Sequence, residues 1–193
     1  MQAGGQRTGQ AAGPAAGPAA GQAAVPNYLA DHHKLMERLQ AQPELYGKVQ
    51  VTPFNEGKHE IAPAGSADVV MSFRNIHNWI DRDELAGSLQ TFHKALKPGG
   101  VLGIVGHRGR DDLPQEVQTR NGYVRQDAAI ALIEKAGFRF DGSSEVNANP
   151  KDTKDHPAGV WTLPPTWRLK DQDRARYQAI GESDRFTLRF IRQ

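Results

Sequence analysis

The chain has 193 residues, no cysteine, and 24 Lys and Arg against 22 Asp and Glu, a formal charge of +2. The missing thiols exclude disulfides, thiolate nucleophiles and thiolate zinc sites. Basic and acidic residues are interleaved, with no run that would neutralise phosphates, which argues against nucleic acid as a partner. No stretch approaches the length of a membrane span, and the first residues lack the apolar region behind a basic start that marks a signal peptide. The expectation is a cytoplasmic protein that keeps off membranes.

Residues 1–26 are set apart by AAGPAAGPAAGQAA, whose glycines and prolines break any helix the alanines favour. They read as a leader, and 27–193 as one α/β domain. Leu29, Leu35, Met36 and Leu39 predict an amphipathic helix to about Gln42. Gly47–Phe54 alternates apolar and polar residues and reads as a short strand, with Pro53 placing it at an edge. After a loop over 55–65 come two apolar runs, Ala67–Phe73 and Val101–Val105. Between them Leu85, Leu89, Phe92 and Leu96 share one helical face. Asp81 and Glu84 resemble a capping box, and Lys97–Gly100 a helix exit. Asp111–Tyr123 reads as a polar surface loop. Ala129, Ile130 and Ile133 predict a helix closed by Gly137, followed by a strand over Phe138–Val146. Residues 147–184 are irregular, with a short helix near 171–178. Arg185–Arg192 alternates Phe186, Leu188 and Phe190 with polar residues and predicts a final antiparallel strand.

Two apolar strands joined by a helix imply a βαβ unit in a parallel sheet covered on both faces. Ligands of such sheets bind beyond the carboxyl ends of the strands. Those ends carry Arg74, Asn75, His77 and Asn78 after one strand, and His107 with Arg108 after the other. Imidazoles titrate near neutrality when unperturbed, so His77 and His107 suit a general base, against the plainer role of satisfying backbone groups. Arg74 could hold a carboxylate or phosphate, or pair with Asp68 or Asp81. A metal set of His77, His107 and Asp111 or Asp112 is a weaker reading, since no HxH or HxxxH spacing supports it. His32 and His33 lie on a helix face expected to be exposed.

The pieces GSADVVMSFRNIHNW, HKALKPGGVLGIVGHR, EKAGF, NANPKDT, GVWTLPPT and GESDRFTLRF resemble class I S-adenosylmethionine-dependent methyltransferases. The narrower resemblance is to a bacterial group of predicted methyltransferases with an Arg-Asn-x-His pattern after the fourth strand. It runs from about Tyr28 to the end. It implies a Rossmann-like three-layer α/β sheet with an antiparallel last strand, and S-adenosylmethionine lying across the strands' carboxyl ends. In that family a first strand, an acidic residue and a glycine-rich loop hold the methionine end of the cofactor. Here Gly4, Gly5 and Thr8 echo the loop, Ala23–Val25 is all that stands for the second strand, and the first strand is missing or incomplete. The cofactor-binding set implied is Gly4, Gly5, Asn55, Arg74 and Asn75, with Glu56 beside Asn55, and the catalytic pair His77 and His107. The expected function is methyl transfer to an unidentified small molecule, with weak cofactor binding by the chain as it stands. The alternatives are a binding module on the same fold that has lost catalysis, and a metal-dependent enzyme on a similar sheet.

Overall fold

The structure, a computed structural model, describes residues 27–54 and 60–193. They divide into two compact units between Gln50 and Val51, later than the compositional boundary at residue 26. In the first unit, α1 spans Asn27–Ala41 and α2 Pro43–Tyr46. Pro43 separates them, because a proline has no N–H to donate and fits only a helix's first turn. His32 and His33 are exposed, as the helical pattern predicts.

The strand expected over Gly47–Phe54 is absent: residues 49–54 carry no regular structure. Val49 and Val51 stay about half exposed. Alternation alone does not make a strand when no neighbour supplies a ladder, and Pro53 removes a donor.

The second unit holds β1 (Ala67–Phe73), α3 (Ile76–Asp81), α4 (Leu85–Ala95) and β2 (Leu96–His107). Then come α5 (Gln115–Gln118), α6 (Gln126–Glu134), β3 (Phe138–Ser144), α7 (Arg174–Ile180) and β4 (Arg185–Arg192). The described strands form one sheet in the order β1-β2-β4-β3. β1 and β2 run parallel, with Val69 opposite Val101 and Phe73 opposite Val105. β4 lies antiparallel between β2 and β3. The parallel pair follows from the helical connection, since two parallel strands need a crossover.

The core lies on one face of this sheet. Ile76 and Trp79 of α3, Leu85, Leu89 and Phe92 of α4, and Ala129 and Ile133 of α6 pack on Leu102, Ile104, Phe138, Phe186, Leu188 and Phe190. Cover on both faces, expected from the apolar runs, is not found among the described residues: Val69, Met71 and Phe73 are each more than half exposed. The apolar content of β1 marks two sticky faces, but α3, α4 and α6 occupy only one.

Three local expectations are corrected. Glu84 takes the N-cap position of α4 with no side-chain cap bond, and Asp81 closes α3, so the two carboxylates do not form a capping box. Lys97–Gly100 is no helix exit but part of β2, which begins at Leu96; Gly99 there has φ +76° and the register with β1 slips before Val69. Asp111–Tyr123 lies largely at the surface, as expected, but it is no plain loop: it holds α5 and is anchored from within. Gln118, 5% exposed, accepts from the Arg110 N–H at 2.6 Å and donates to the carbonyls of Arg110 and Leu113 at 2.9 Å.

Candidate functional site

β1 ends where Arg74 takes a left-handed backbone, φ 61°, while its N–H still reaches the Val105 carbonyl at 2.7 Å. That bend turns the chain into α3, with Asn75 at the N-cap. One turn of α3 then buries Ile76, His77 and Trp79, so His77 is carried inward by the residues that anchor the helix. β2 delivers His107 at its own carboxyl end, paired across the sheet with Arg185. The two imidazoles come to 5.6 Å between ring centroids, and Trp161 stands edge-on to His77 at 5.8 Å. Gly106 makes the approach possible. A Cβ there would lie 2.8 Å from Phe186 and 3.0 Å from Ile76, so any side chain would push α3 off the sheet.

A part-open cavity of about 180 Å³ lies here, lined by Arg74, His77, Asn78, His107, Trp161 and Ser183 among others. Both imidazoles are depressed well below the neutral range expected of them. Burial takes His77 to about 4, with Asp81 opposing and Arg82 assisting. Burial takes His107 to about 3, with His77, Arg185 and Arg74 each adding to the effect. Both rings are therefore uncharged at physiological pH, which corrects the expectation of groups poised near neutrality.

The remaining sequence candidates are distributed as follows. Arg74 lines the cavity, and neither Asp68 nor Asp81 is its partner: Lys97 takes Asp68 at 2.6 Å, and Arg120 lies 3.9 Å from Asp81. Asn75 stays at the helix cap, outside the lining. Arg108 leaves the site for Glu145 at 2.7 Å. Asp112 is bound by Arg110, and among the described residues no group of three or more His, Asp or Glu is placed to hold a metal. Gly4, Gly5, Thr8, Ala23–Val25, Asn55 and Glu56 lie outside the described residues.

Two features had no sequence expectation. Ser183 meets His107 Nδ1 at 2.5 Å, which fixes the ring. Behind it, the fully buried Asp152 carboxylate accepts from the Tyr123 hydroxyl at 3.0 Å and the Asp184 N–H at 2.8 Å, and meets His156 Nε2 at 2.8 Å. Burial and the Asp152 charge push the Tyr123 hydroxyl far above its ordinary range. The only signals were the matched pieces NANPKDT and GESDRFTLRF and the four-residue spacing of Asp152 and His156.

No protein-family model matches the chain, and no curated protein matches its sequence. Solved structures do match its fold. A putative sarcosine dimethylglycine methyltransferase from Galdieria sulphuraria superposes with a TM-score of 0.57 at 14% identity, over 84% of this chain and 66% of that one. The [4+2]-cyclase SpnF gives 0.55 at 14% identity, over 82% and 61%. The mitomycin 7-O-methyltransferase MmcR gives 0.50 at 18% identity, over 83% and 39%. The fold is that of the class I S-adenosylmethionine-dependent methyltransferases. The chain spans less than two thirds of the length of each of these three proteins. Within the methyltransferase fold, the His77–His107 cavity lies beyond the carboxyl ends of the parallel pair, where sheets of this kind bind ligands.

Proposed function

We propose that the protein is an S-adenosylmethionine-dependent methyltransferase of a small molecule, and that the His77–His107 cavity is where the methyl acceptor sits. The single observation that carries this reading is the meeting of two buried, uncharged imidazoles at the ends of neighbouring parallel strands, on the wall of one small cavity. Histidines that merely satisfied backbone groups at strand ends would have no cavity to line. When bound, S-adenosylmethionine supplies a sulfonium-activated methyl group. The protein's part is to place an acceptor atom in line with it and keep water away. His77, Trp161 and Asn78 would hold the acceptor, Ser183 would hold His107, and Asn75 at the end of β1 would meet the cofactor's amino-acid end.

The presence of a [4+2]-cyclase among the fold neighbours keeps a second reading in play, a protein of this fold whose site does other work or only binds. Turnover separates the two. Cofactor titration by calorimetry, combined with release of S-adenosylhomocysteine over a panel of small hydroxylated and carboxylated compounds, is the test. Release that falls about tenfold or more in His77→Ala and His107→Ala, with cofactor affinity unchanged, supports methyl transfer at this cavity. Absence of any cofactor-dependent product sinks it.

A further inference from the structure

The cavity is built to hold a negative oxygen rather than to take a proton. His77 is 95% withdrawn from solvent (5% exposed), and its Nδ1 is closed off with no hydrogen-bond partner among the described residues. Protonating that ring would bury an N–H with nothing to accept it, which is the more costly kind of orphan. Assigned by hydrogen-bond satisfaction, the proton of the neutral ring belongs on Nε2 and the bare lone pair on Nδ1. Nε2 is then the nitrogen that meets a ligand, and it meets it as a donor. His107 is occupied at Nδ1 by Ser183.

Asp81 bears on His77 from outside the lining, opposed by Arg82, whereas the charges that bear on His107 are all positive. Arg74 lines the cavity, and Arg74 and Arg185 both bear on His107. Glu182, the one carboxylate of the lining, is engaged by Arg185 through a hydrogen-bonded ion pair. Size sets a further limit: a cavity of about 150 Å³ suffices for benzene, so about 180 Å³ holds one ring with a small substituent or two. The Arg168 guanidinium covers one face of the Trp161 indole at 4.4 Å, so such a ring would meet the remaining surface of Trp161 with Pro164 and Pro165.

We infer that the cavity binds its acceptor as a preformed oxyanion, a carboxylate or phenolate on a single-ring molecule, with His77 Nε2–H and the Arg74 guanidinium as donors. This rests on the proposed methyl transfer only in calling the ligand an acceptor. The chemistry then balances without a base: an oxygen lone pair forms the C–O bond as the C–S bond of a sulfonium donor breaks. The electron pair of that bond stays on sulfur as a thioether, and no proton moves.

The test uses the full chain without any methyl donor. 4-Nitrophenol absorbs visibly as its anion and titrates near neutrality, so its spectrum in excess protein reports its ionisation while bound. The expected result is an apparent pKa lowered by about one unit or more, equivalent to about tenfold tighter binding of the anion. Benzoate should displace it, and benzamide of the same shape should not. Arg74→Gly, which suits the left-handed backbone at that position, and His77→Phe should each return the bound pKa toward its solution value. An unshifted or raised pKa, equal displacement by benzamide, or no binding of any of these probes at millimolar concentration overturns the proposal. The benzoate–benzamide comparison needs no variant, so it decides even if the substitutions disturb folding. Anion binding without S-adenosylmethionine turnover would remove the methyltransferase reading and leave the anion site standing. Turnover with equal benzamide binding would do the reverse.

Discussion

At the residue scale, the site depends on one buried carboxylate more than on either histidine. Asp152 holds the Asp184 N–H, and Asp184 follows Ser183, whose hydroxyl fixes His107. Asp152→Ala would orphan the Tyr123 hydroxyl, His156 and two backbone donors together. It should lower the unfolding free energy by about 3–5 kcal/mol in urea denaturation. Tyr123→Phe removes one bond to the same carboxylate and should cost about 1.5–3 kcal/mol. Ser183→Ala should leave stability nearly unchanged and lower turnover by loosening His107, a split visible by comparing denaturation with kinetics. His77 and His107 were legible in the sequence because each lies within four residues of the end of an apolar run whose direction is forced by the connection between them. Ser183 was not, since 76 residues separate it from His107 and no local pattern spans that distance.

At the scale of elements, periodicity located α4, α6 and β4, because each buries one face and repeats its burial along the chain, while β1 was located by its continuous apolar run. It failed where pairing or side-chain anchoring decides. Gly47–Phe54 alternates but finds no ladder, and the polar 111–123 segment is held in place by Gln118 rather than by apolar residues. The KPGG sequence read as a stop, yet β2 runs through it, because a glycine at φ +76° lets the strand kink without ending. Gly106 is the most demanding position in β2. Gly106→Val should separate α3 from β4 by forcing its side chain into Phe186 and Ile76, with loss of cooperative unfolding or a large fall in midpoint. Gly142, where an added Cβ meets no atom within 4 Å, serves as the control, and Gly142→Ala should change the midpoint little.

For the whole molecule, the depressed imidazoles tie stability to pH. In the unfolded chain both titrate near 6.5, and in the folded chain near 4 and near 3. Between those limits the unfolded state binds more protons, so stability rises with pH. The contribution is fully present above 6.5 and is lost as pH falls through 6.5 toward 4 and then 3. Unfolding free energies measured from pH 4 to 7 should climb with pH, and the double variant His77→Gln, His107→Gln should flatten that slope. The class of fold was legible from the order of elements and the matched motifs; the uncovered face of the sheet was not, because the runs in β1 are apolar on both sides whether or not a second layer lies over them. The Asp152 cluster has one more consequence. Residues 147–184 are largely irregular, and amides in such segments ordinarily trade their hydrogens for deuterium quickly. The N–H groups of Lys154 and Asp184 both end on this buried carboxylate. They should exchange as slowly as the strands themselves, so that the segment behaves as part of the rigid body and opens only when the sheet does.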